Sequence, residues 1–254
     1  MTATGPRPPS ARDIADGPAP AALEAWSKSF LVDQDVRVRD ALLADSRVVD
    51  YPAGAVLCTD AYPDYLVALV HHGLVRAKVT SWDGRGVTTR YFTNGQITAV
   101  PAMLTNGAPS SIEAVTACQV SQLNPSTFRR LMRSNANLAY EVAVYLATST
   151  YESVMYLEDN LFGTVQQRVS RHLLAMATPT VNGLLVQTDQ TDLANAIGSV
   201  REVVSRALKK LTEIGAIRRY RRQIWIEDPA LLRALASKHI ESPAQPAPGD
   251  GGPR

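Results

Sequence analysis

One stretch near the C-terminal end limits the possible folds of this chain more than any other part. DLANAIGSVREVVSRALKKLTEIGAIRR runs from Asp192 to Arg219, and its first apolar positions, Leu193 and Ile197, lie one helical turn apart. Gly198 follows them, and glycine permits the left-handed turn that ends many helices. A second helical pattern begins near Val200. The order predicts two short helices joined by a tight turn.

The second helix is followed by a predicted β-hairpin. Its apolar face consists of Val203, Val204, Ala207, Leu208 and Leu211. Gly215 then ends the helix, and IRRYRRQIWIED alternates as two strands around a basic turn. Thr188 or Thr191 is expected to cap the first helix. Helix, turn, helix and hairpin in this order are typical of a winged helix-turn-helix.

Four polar side chains share the solvent-facing side of the second helix in its first two turns: Arg201, Glu202, Ser205 and Arg206. In a helix-turn-helix that part of the helix faces base edges in the major groove. Arginine can bond guanine bidentately and glutamate can accept from cytosine, so Glu202 and Arg206 could share one G·C pair. The alternative is a solvated face with an ordinary i,i+4 Glu–Arg pair. Since that alternative leaves the basic hairpin unexplained, we interpret the four residues as base-reading.

The charge distribution supports a nucleic-acid partner more than the total charge does. The formal net charge is only +2, but basic residues are concentrated between Arg201 and Arg222. A local surplus of this kind is a footprint for phosphate. The predicted phosphate contacts are Lys209, Arg218, Arg219, Arg221 and Arg222.

The first half of the chain has the pattern of a small β-barrel. Between about Val48 and Leu123, runs of β-forming residues alternate with turn signals, in VVDYPAGAVLC, YLVALVHHGLVRAKVTS, VTTRYFTNGQITAV and SSIEAVTACQVSQL. Each run is expected to form one or two strands. Many short strands at close spacing predict a barrel or jelly roll.

A long helix is predicted from about Asn137 to Leu161, after a short helix that follows Asn124–Pro125. Its residues at spacings of three and four are Leu138, Val142, Tyr145, Ser149, Glu152 and Tyr156. We interpret this stripe as a helix-pairing surface between two subunits of a homodimer. The alternative is that the stripe packs against its own barrel.

The predicted fold class is therefore α+β: an N-terminal β jelly-roll barrel, a long dimerisation helix and a C-terminal winged helix-turn-helix. The expected boundaries are a disordered arm over 1–21, an effector domain over 22–135, the dimerisation helix over 136–161, the DNA-binding domain over 162–240 and a disordered tail over 241–254. Arm and tail are rich in proline, glycine and small polar residues, a composition that buries little apolar surface.

Several classes of protein are excluded by what the sequence lacks. It has no GxSxG, P-loop or HExxH motif, so we do not expect an enzyme. Cys58 and Cys118 form no CxxC and are interpreted as buried thiols in the cytoplasm. His172 and His239 have no partner at metal-ligand spacing, so no metal is expected. No apolar run approaches the roughly 18 residues of a membrane span.

From about Val48 to Leu235 the chain resembles the Crp/Fnr family of bacterial transcription regulators. GSVREVVSRALKKLTEIGAI resembles the family's recognition helix, in which Arg201, Glu202 and Arg206 occupy the base-reading positions. YPAGAVL, VHHGLVRAKV and DGRGVTTRYFTNGQ resemble its cyclic-nucleotide-binding barrel. The resemblance implies a homodimer on palindromic DNA with TGTGA- or TTGAT-like half-sites about 34–36 Å apart.

The sequence departs from the family where the cyclic nucleotide is held. The family's Gly–Glu pair, which binds the ribose, aligns with Ala99–Val100, and its phosphate-binding Arg–Ser pair aligns with Ala108–Pro109. Ser110 and Ser111 nearby and Ser153 on the long helix carry hydroxyls in this region. A buried phosphate without an arginine lacks charge-assisted hydrogen bonds. We therefore expect no cyclic AMP and no other cofactor, and a pocket that suits an apolar or uncharged ligand, or none.

Two further hypotheses remain from the sequence. A haem sensor would need an axial ligand, for which His71 and His72 are the candidates, although at least one should point to solvent. A small-molecule sensor could also act chiefly through a protein partner such as RNA polymerase. Dependence of promoter output on Arg201 and Arg206 would separate direct base reading from that alternative.

Overall fold

The structure is a computed structural model that describes residues 18–59, 67–82, 84, 86–105, 107 and 110–237. It contains two compact units, which divide between Tyr156 and Leu157. The predicted tail over 241–254 and most of the predicted arm lie outside the described residues. The first helix begins at Pro20, within the segment predicted as the arm.

The described residues of the first unit form eight strands: β1 (Ser46–Tyr51), β2 (Val56–Cys58), β3 (Val67–His72), β4 (Val75–Thr80), β5 (Gly86–Phe92), β6 (Ile97–Thr98), β7 (Ser111–Ala114) and β8 (Cys118–Leu123). They pair in two four-stranded sheets, of order β1-β8-β3-β6 and β2-β7-β4-β5. All their pairings are antiparallel. The four strand-forming runs of the sequence each supply two strands, which confirms the predicted jelly roll.

Five helices belong wholly or mainly to this unit: α1 (Pro20–Ser27), α2 (Val36–Ala44), α3 (Val100–Thr105), α4 (Pro125–Ser134) and α5 (Ala136–Phe162). Asn124 caps α4 by accepting from the backbone N–H groups of Ser126 and Thr127, and Pro125 stands at the first helical position. On β3, Val67 and Leu69 pack on the helix side and the alternate residues pack between the sheets. From Val67 to Val70, β3 is thus buried on both faces.

The first part of the predicted dimer stripe on α5 packs against its own barrel, so the assignment of Leu138 and Val142 to a subunit interface is wrong. Leu138 and Val142 are fully buried in the core with α1, β3 and α3. Tyr145 stacks on Phe30 with ring centroids 4.3 Å apart, and its hydroxyl donates to the Ile97 carbonyl at 3.1 Å. Helical periodicity shows that one face is buried, but it does not show which surface buries it.

The opposite face of α5 is apolar and exposed. Tyr151 is 74% exposed and Met155 is 64% exposed. The large apolar side chains on or beside this face are Tyr140, Val144, Tyr151, Val154, Met155, Leu157, Leu161 and Phe162. Val144, Tyr151, Val154 and Leu161 follow one another at intervals of seven, three and seven residues, the spacing of a coiled-coil seam.

The second unit is a small α+β domain. After the end of α5 it comprises α6 (Val165–Met176), β9 (Thr178–Thr180), β10 (Gly183–Gln187), α7 (Gln190–Ala196), α8 (Arg201–Glu213), β11 (Ile217–Tyr220), β12 (Gln223–Ile226) and α9 (Pro229–Ser237). Its sheet has the order β11-β12-β10-β9. The pair α7–α8 and the hairpin β11–β12 are the predicted winged helix-turn-helix.

One local prediction for this unit is wrong, the residue that caps α7. Before that helix, β9 and β10 form a hairpin whose second strand also pairs with β12. The helix α7 is capped by Asp189, which accepts from the N–H groups of Thr191 and Asp192, and by neither predicted threonine. A carboxylate at the N-terminus also interacts favourably with the helix dipole.

Candidate nucleic-acid interface and barrel cavity

The helix α8 presents the predicted base-reading residues to solvent. Val204, Leu208 and Leu211 form its buried face, while Val203 and Ala207 are half-buried. On the other side of its first two turns, Arg201, Glu202 and Arg206 are exposed and Ser205 is half-exposed. The preceding turn depends on Gly198, whose φ of 62° lies in the left-handed region.

The two arginines at the start of α8, Arg201 and Arg206, form no ion pair with any residue that the structure describes. The Glu202–Arg206 pair of the alternative interpretation is therefore not formed. Neighbouring cations differ in this respect. Arg222 lies 3.1 Å from carboxylate oxygens of both Asp189 and Asp192, which ties the wing to the N-terminal end of α7.

The five predicted phosphate contacts therefore fall into two groups. Lys209 pairs with Glu213 at 3.7 Å, and Arg218 pairs with Glu227 at 2.6 Å, as Arg222 does with its two aspartates. Arg219 and Arg221 have no ion pair with any described residue. Arg221 lies in the two-residue wing turn with a φ of 53°, so its side chain projects from the tip of the hairpin.

The tertiary structure brings Arg201 next to these two unpaired wing residues. Arg201, Arg219 and Arg221 line one surface depression of about 310 Å³, together with the segment Thr188–Thr191. Arg219 and Arg221, which lie 18 and 20 positions after Arg201, thus share one positive surface with it. This arrangement was not predicted from the sequence. Unpaired guanidinium groups around a concave surface suit phosphate or a base edge, since each offers several N–H donors.

The first unit contains a cavity of about 340 Å³ bounded by barrel strands, α3 and α5. Most of its lining is apolar or aromatic, including Cys58, Ala77, Phe92, Ile112 and Tyr145. Its polar lining residues are Thr89, Arg90, Ser110, Ser149, Glu152, Ser153 and Tyr156. Predicted dimer residues Ser149 and Tyr156 thus line a cavity in their own subunit.

Arg90 of β5 is the cation of this cavity, and sequence reasoning missed it. Its Nη1 donates to Ser149 Oγ at 2.7 Å and lies 3.1 Å from a carboxylate oxygen of Glu152. The guanidinium stands 5.2 Å from the ring centroid of Phe92 and 5.4 Å from that of Tyr145. The expectation that the pocket suits an apolar or uncharged ligand, or none, did not take Arg90 into account, because β5 is far from α5 in the sequence and meets it only in the fold.

Only some of the residues predicted to line a pocket without the family's nucleotide-binding pairs line the observed cavity. Ala99 and Ser110 line the cavity, whereas Ala108 and Pro109 lie outside the described residues. Val100 is fully buried in the hydrophobic core at the start of α3 and is not a cavity residue, which corrects its assignment. Ser153 lines the cavity, but its hydroxyl donates to the Ser149 carbonyl at 2.8 Å.

Ala99 has a backbone conformation that supports the alignment with the family's glycine. Its φ is 57°, in the left-handed region that a side chain disfavours. Glycine adopts this conformation without a steric penalty. The bend between β6 and α3 is therefore kept in this chain although the glycine has been replaced.

Glu113 and His71 are titratable residues whose side chains have partners within the first unit. Glu113 pairs with Arg76 at 2.8 Å and with Lys78 at 3.2 Å. Burial raises its pKa, but the two cations outweigh burial and hold the pKa below its ordinary value.

The two adjacent histidines of β3 differ in exposure. His72 is exposed and His71 is buried, and the ring nitrogens of His71 lie 3.2 Å from Gln119 Oε1 and 2.8 Å from Ser121 Oγ. Burial lowers the pKa of His71, and neither histidine lines the cavity.

Comparison with known families assigns both units. Residues 48–135 match the cyclic nucleotide-binding domain family, and residues 167–235 match the Crp-like helix-turn-helix domain family. The chain belongs to the Crp/Fnr family. As a Crp/Fnr-type protein it is a DNA-binding transcriptional regulator and not an enzyme.

Individual relatives agree with this Crp/Fnr assignment. The transcriptional regulator LdrP of Thermus thermophilus is 27% identical over 180 residues, which cover 68% of this chain and 88% of the relative. The cyclic AMP receptor protein of Thermus thermophilus is 28% identical over 187 residues, covering 73% and 86%. A solved CRP/FNR-family regulator, also from Thermus thermophilus, has the same fold, with a TM-score of 0.62 at 23% identity over 75% of this chain and 98% of its own.

Three further features concern the described part of this Crp/Fnr protein. Within the described ranges, no group of three or more histidine, cysteine, aspartate or glutamate side chains could hold a metal ion. No described helix is long and apolar enough to cross a membrane. Cys58 and Cys118 are both buried and free.

Proposed function

We propose that this regulator binds palindromic DNA as a homodimer and reads bases with Arg201, Glu202, Ser205 and Arg206. The observation that carries the proposal is that Arg201 and Arg206 are exposed at the start of α8 without an ion pair to any described residue. An unpaired arginine can form a bidentate hydrogen-bonded pair with guanine without first losing an intramolecular partner. Arg219 and Arg221 line the same depression as Arg201 and supply phosphate contacts.

The dimer interface is proposed to be the exposed apolar face of α5. Its seam, Val144, Tyr151, Val154 and Leu161, would bury apolar area against the same face of a second chain. A twofold axis beside this helix would present two recognition helices to half-sites about one turn of DNA apart. A palindromic site is the form of DNA that matches this symmetry.

The barrel cavity is proposed to have lost cyclic-nucleotide binding. Relatives include a protein named as a cyclic AMP receptor, but in this chain Val100, aligned with the family's ribose-binding glutamate, is part of the core. The cavity's arginine, Arg90, is already neutralised by Glu152 at 3.1 Å. A cyclic phosphate would have to compete with that carboxylate and tolerate its charge.

The test is DNA binding by the purified full chain to a palindrome selected from a random pool. Arg201→Ala or Arg206→Ala should weaken binding by about 1–3 kcal/mol and relax selectivity at one base pair of each half-site. Arg221→Ala is the matched control, since loss of a phosphate contact should weaken binding to all sequences equally and lower the salt slope by about 1. Unchanged selectivity in both arginine variants would contradict base reading.

A calorimetric titration with cyclic AMP and cyclic GMP tests the second part of the proposal. We expect no heat from either nucleotide and no change in the affinity for the palindrome. Micromolar binding that tightens DNA affinity would show that the cavity kept the family's effector despite the loss of both polar pairs.

A further inference from the structure

The cavity of the first unit has a charge arrangement that suits one class of small molecule. Arg90 and Glu152 are its charged lining residues, and they face each other at 3.1 Å. The lining is therefore neutral overall, but it separates into one cationic and one anionic group. A net anion or a net cation would leave one of these two groups facing a like charge.

We propose that the cavity binds a zwitterion of the α-amino acid class, with its carboxylate on Arg90 and its ammonium on Glu152. This inference rests on the proposed function, because it names the ligand of the effector cavity. In an α-amino acid the two charged groups stand on one carbon, so a single small ligand can enter between Arg90 and Glu152. Arg90 then exchanges the carboxylate of Glu152 for that of the ligand, and Glu152 exchanges the guanidinium of Arg90 for the ligand's ammonium.

Arg90 can accept such a ligand while keeping its contacts with Ser149, Phe92 and Tyr145. Its guanidinium has five N–H donors, so after the contact with Glu152 is given up, the donors that do not bind Ser149 are available for a carboxylate. The rings of Phe92 and Tyr145 hold the guanidinium by its face, so its N–H groups stay directed sideways. The orientation of the cation is thus set by groups that the ligand does not replace.

The cost of separating Arg90 from Glu152 is small. The Glu152 side chain is 53% exposed and that of Arg90 is 26% exposed, and partly exposed pairs of this kind stabilise proteins little. A ligand that restores both charge contacts therefore has little to overcome. A nucleoside phosphate would satisfy Arg90 but leave Glu152 next to a second anion.

The rest of the cavity specifies an apolar side chain on the ligand. Cys58, Ala77, Pro101, Ala102 and Ile112 provide small and aliphatic surface, and the volume of about 340 Å³ is at the lower end of the range for small-molecule pockets, roughly 300–1,000 Å³. Because the ligand would lie between β5 and α5, binding would change the contact that joins this strand to the helix of the proposed dimer interface.

The experiment is calorimetric titration of the full chain with L-leucine, L-methionine and L-phenylalanine. Each amino acid that binds is then compared with its N-acetyl derivative, which lacks the ammonium, and its amide, which lacks the carboxylate. We expect at least one of the three to bind, and each blocked form to bind at least roughly tenfold more weakly, the loss of one charge-assisted hydrogen bond. No heat from all three amino acids, or equal binding of the blocked forms, would overturn the proposal.

Two variants assign the charges to residues. Glu152→Gln should remove the preference for a free ammonium while keeping the preference for a carboxylate, and Arg90→Gln should do the reverse. Glu141→Gln is the matched control, because Glu141 lies on the same helix but does not line the cavity. If the two variants lose affinity without changing either preference, the ligand's charges do not contact these residues.

These outcomes can be distinguished from failure of the proposed function. Heat from cyclic AMP would contradict the loss of the family's effector, and loss of DNA selectivity is measured separately with Arg201→Ala and Arg206→Ala. A chain that selects a palindrome and ignores both cyclic AMP and the amino acids would overturn only the inference drawn from Arg90 and Glu152.

Discussion

Among its single residues, this chain is most informative where it departs from its family. Ala99 has a left-handed φ of 57° although it is not a glycine. Val100 is fully buried in the core and does not line the cavity. Arg90 places a cation in the cavity from β5.

The strain at Ala99 leads to a stability prediction. Ala99→Gly should raise the free energy of unfolding by up to about 1 kcal/mol, because relief of the left-handed conformation exceeds the added flexibility of the unfolded chain. Ala102→Gly, within the adjacent helix α3, should lower it by roughly 0.5–1 kcal/mol. Chemical denaturation of both variants measures the difference, and equal losses in the two would show that Ala99 is not strained.

Between secondary-structure elements, charged side chains join neighbouring strands and helices. Glu113 on β7 pairs with Arg76 and Lys78 on β4, and Arg222 joins the wing turn to α7 through Asp189 and Asp192. Both connections involve residues at least thirty positions apart. They orient elements whose own formation depends on local sequence.

The pKa of Glu113 determines a pH dependence for the barrel. Its pKa is lower in the folded chain than the ordinary value of 4.5, so its contribution to stability is present above that value and is lost as the pH falls through the folded-state pKa. Glu113→Gln should cost about 1–3 kcal/mol at pH 7, as Arg76 and Lys78 lose a half-buried partner. The cost should shrink in acid.

Denaturation curves at pH 7 and pH 3 provide the measurement. Glu213→Gln is the control, since Glu213 forms an exposed pair with Lys209 at 3.7 Å and should change stability little at either pH. A cost for Glu113→Gln that is the same at both pH values would contradict the ionic origin of the effect.

For the molecule as a whole, the exposed apolar face of α5 is the surface that supports the proposed homodimer. Val154 is 58% exposed and Tyr151 is 74% exposed on a helix whose other face is already packed against the barrel. Contiguous apolar surface of this kind marks an interaction site. The heptad-like spacing of its apolar residues is the spacing with which a helix pairs with the same face of a second copy.

Charge on this face should therefore dissociate the proposed dimer. Val154→Lys should weaken self-association by about 1.5–3 kcal/mol or more, since it removes a buried valine and inserts a charge. Sedimentation equilibrium measures the change, and affinity for the palindrome should fall with it. Thr150→Lys, on the flank of the helix, is the matched control.

A dimer that persists with Val154→Lys would contradict the assignment of this face. A monomeric variant with unchanged DNA affinity would instead show that one subunit is enough for binding. Leu138→Ala separates these effects from folding, because it removes a core residue and should lower stability without a specific effect on association.

Local sequence patterns were enough to predict the elements and the family of this protein. The eight barrel strands, the long helix and the winged helix-turn-helix all follow from alternation, helical spacing and turn residues, which act between near neighbours in the chain. The identity of the recognition helix follows from one contiguous motif. These features are local, so a single sequence is enough to predict them.

The surfaces that those elements share became visible only once the chain was folded. The fold places Leu138 and Val142 against the barrel and leaves Val154 exposed. It joins Arg90 to Glu152 across the cavity, and it gathers Arg201 and two wing arginines around one depression. Each of these contacts joins residues that are distant in sequence. Local periodicity shows that a face is apolar or charged, but the partner of that face depends on how all the elements pack together.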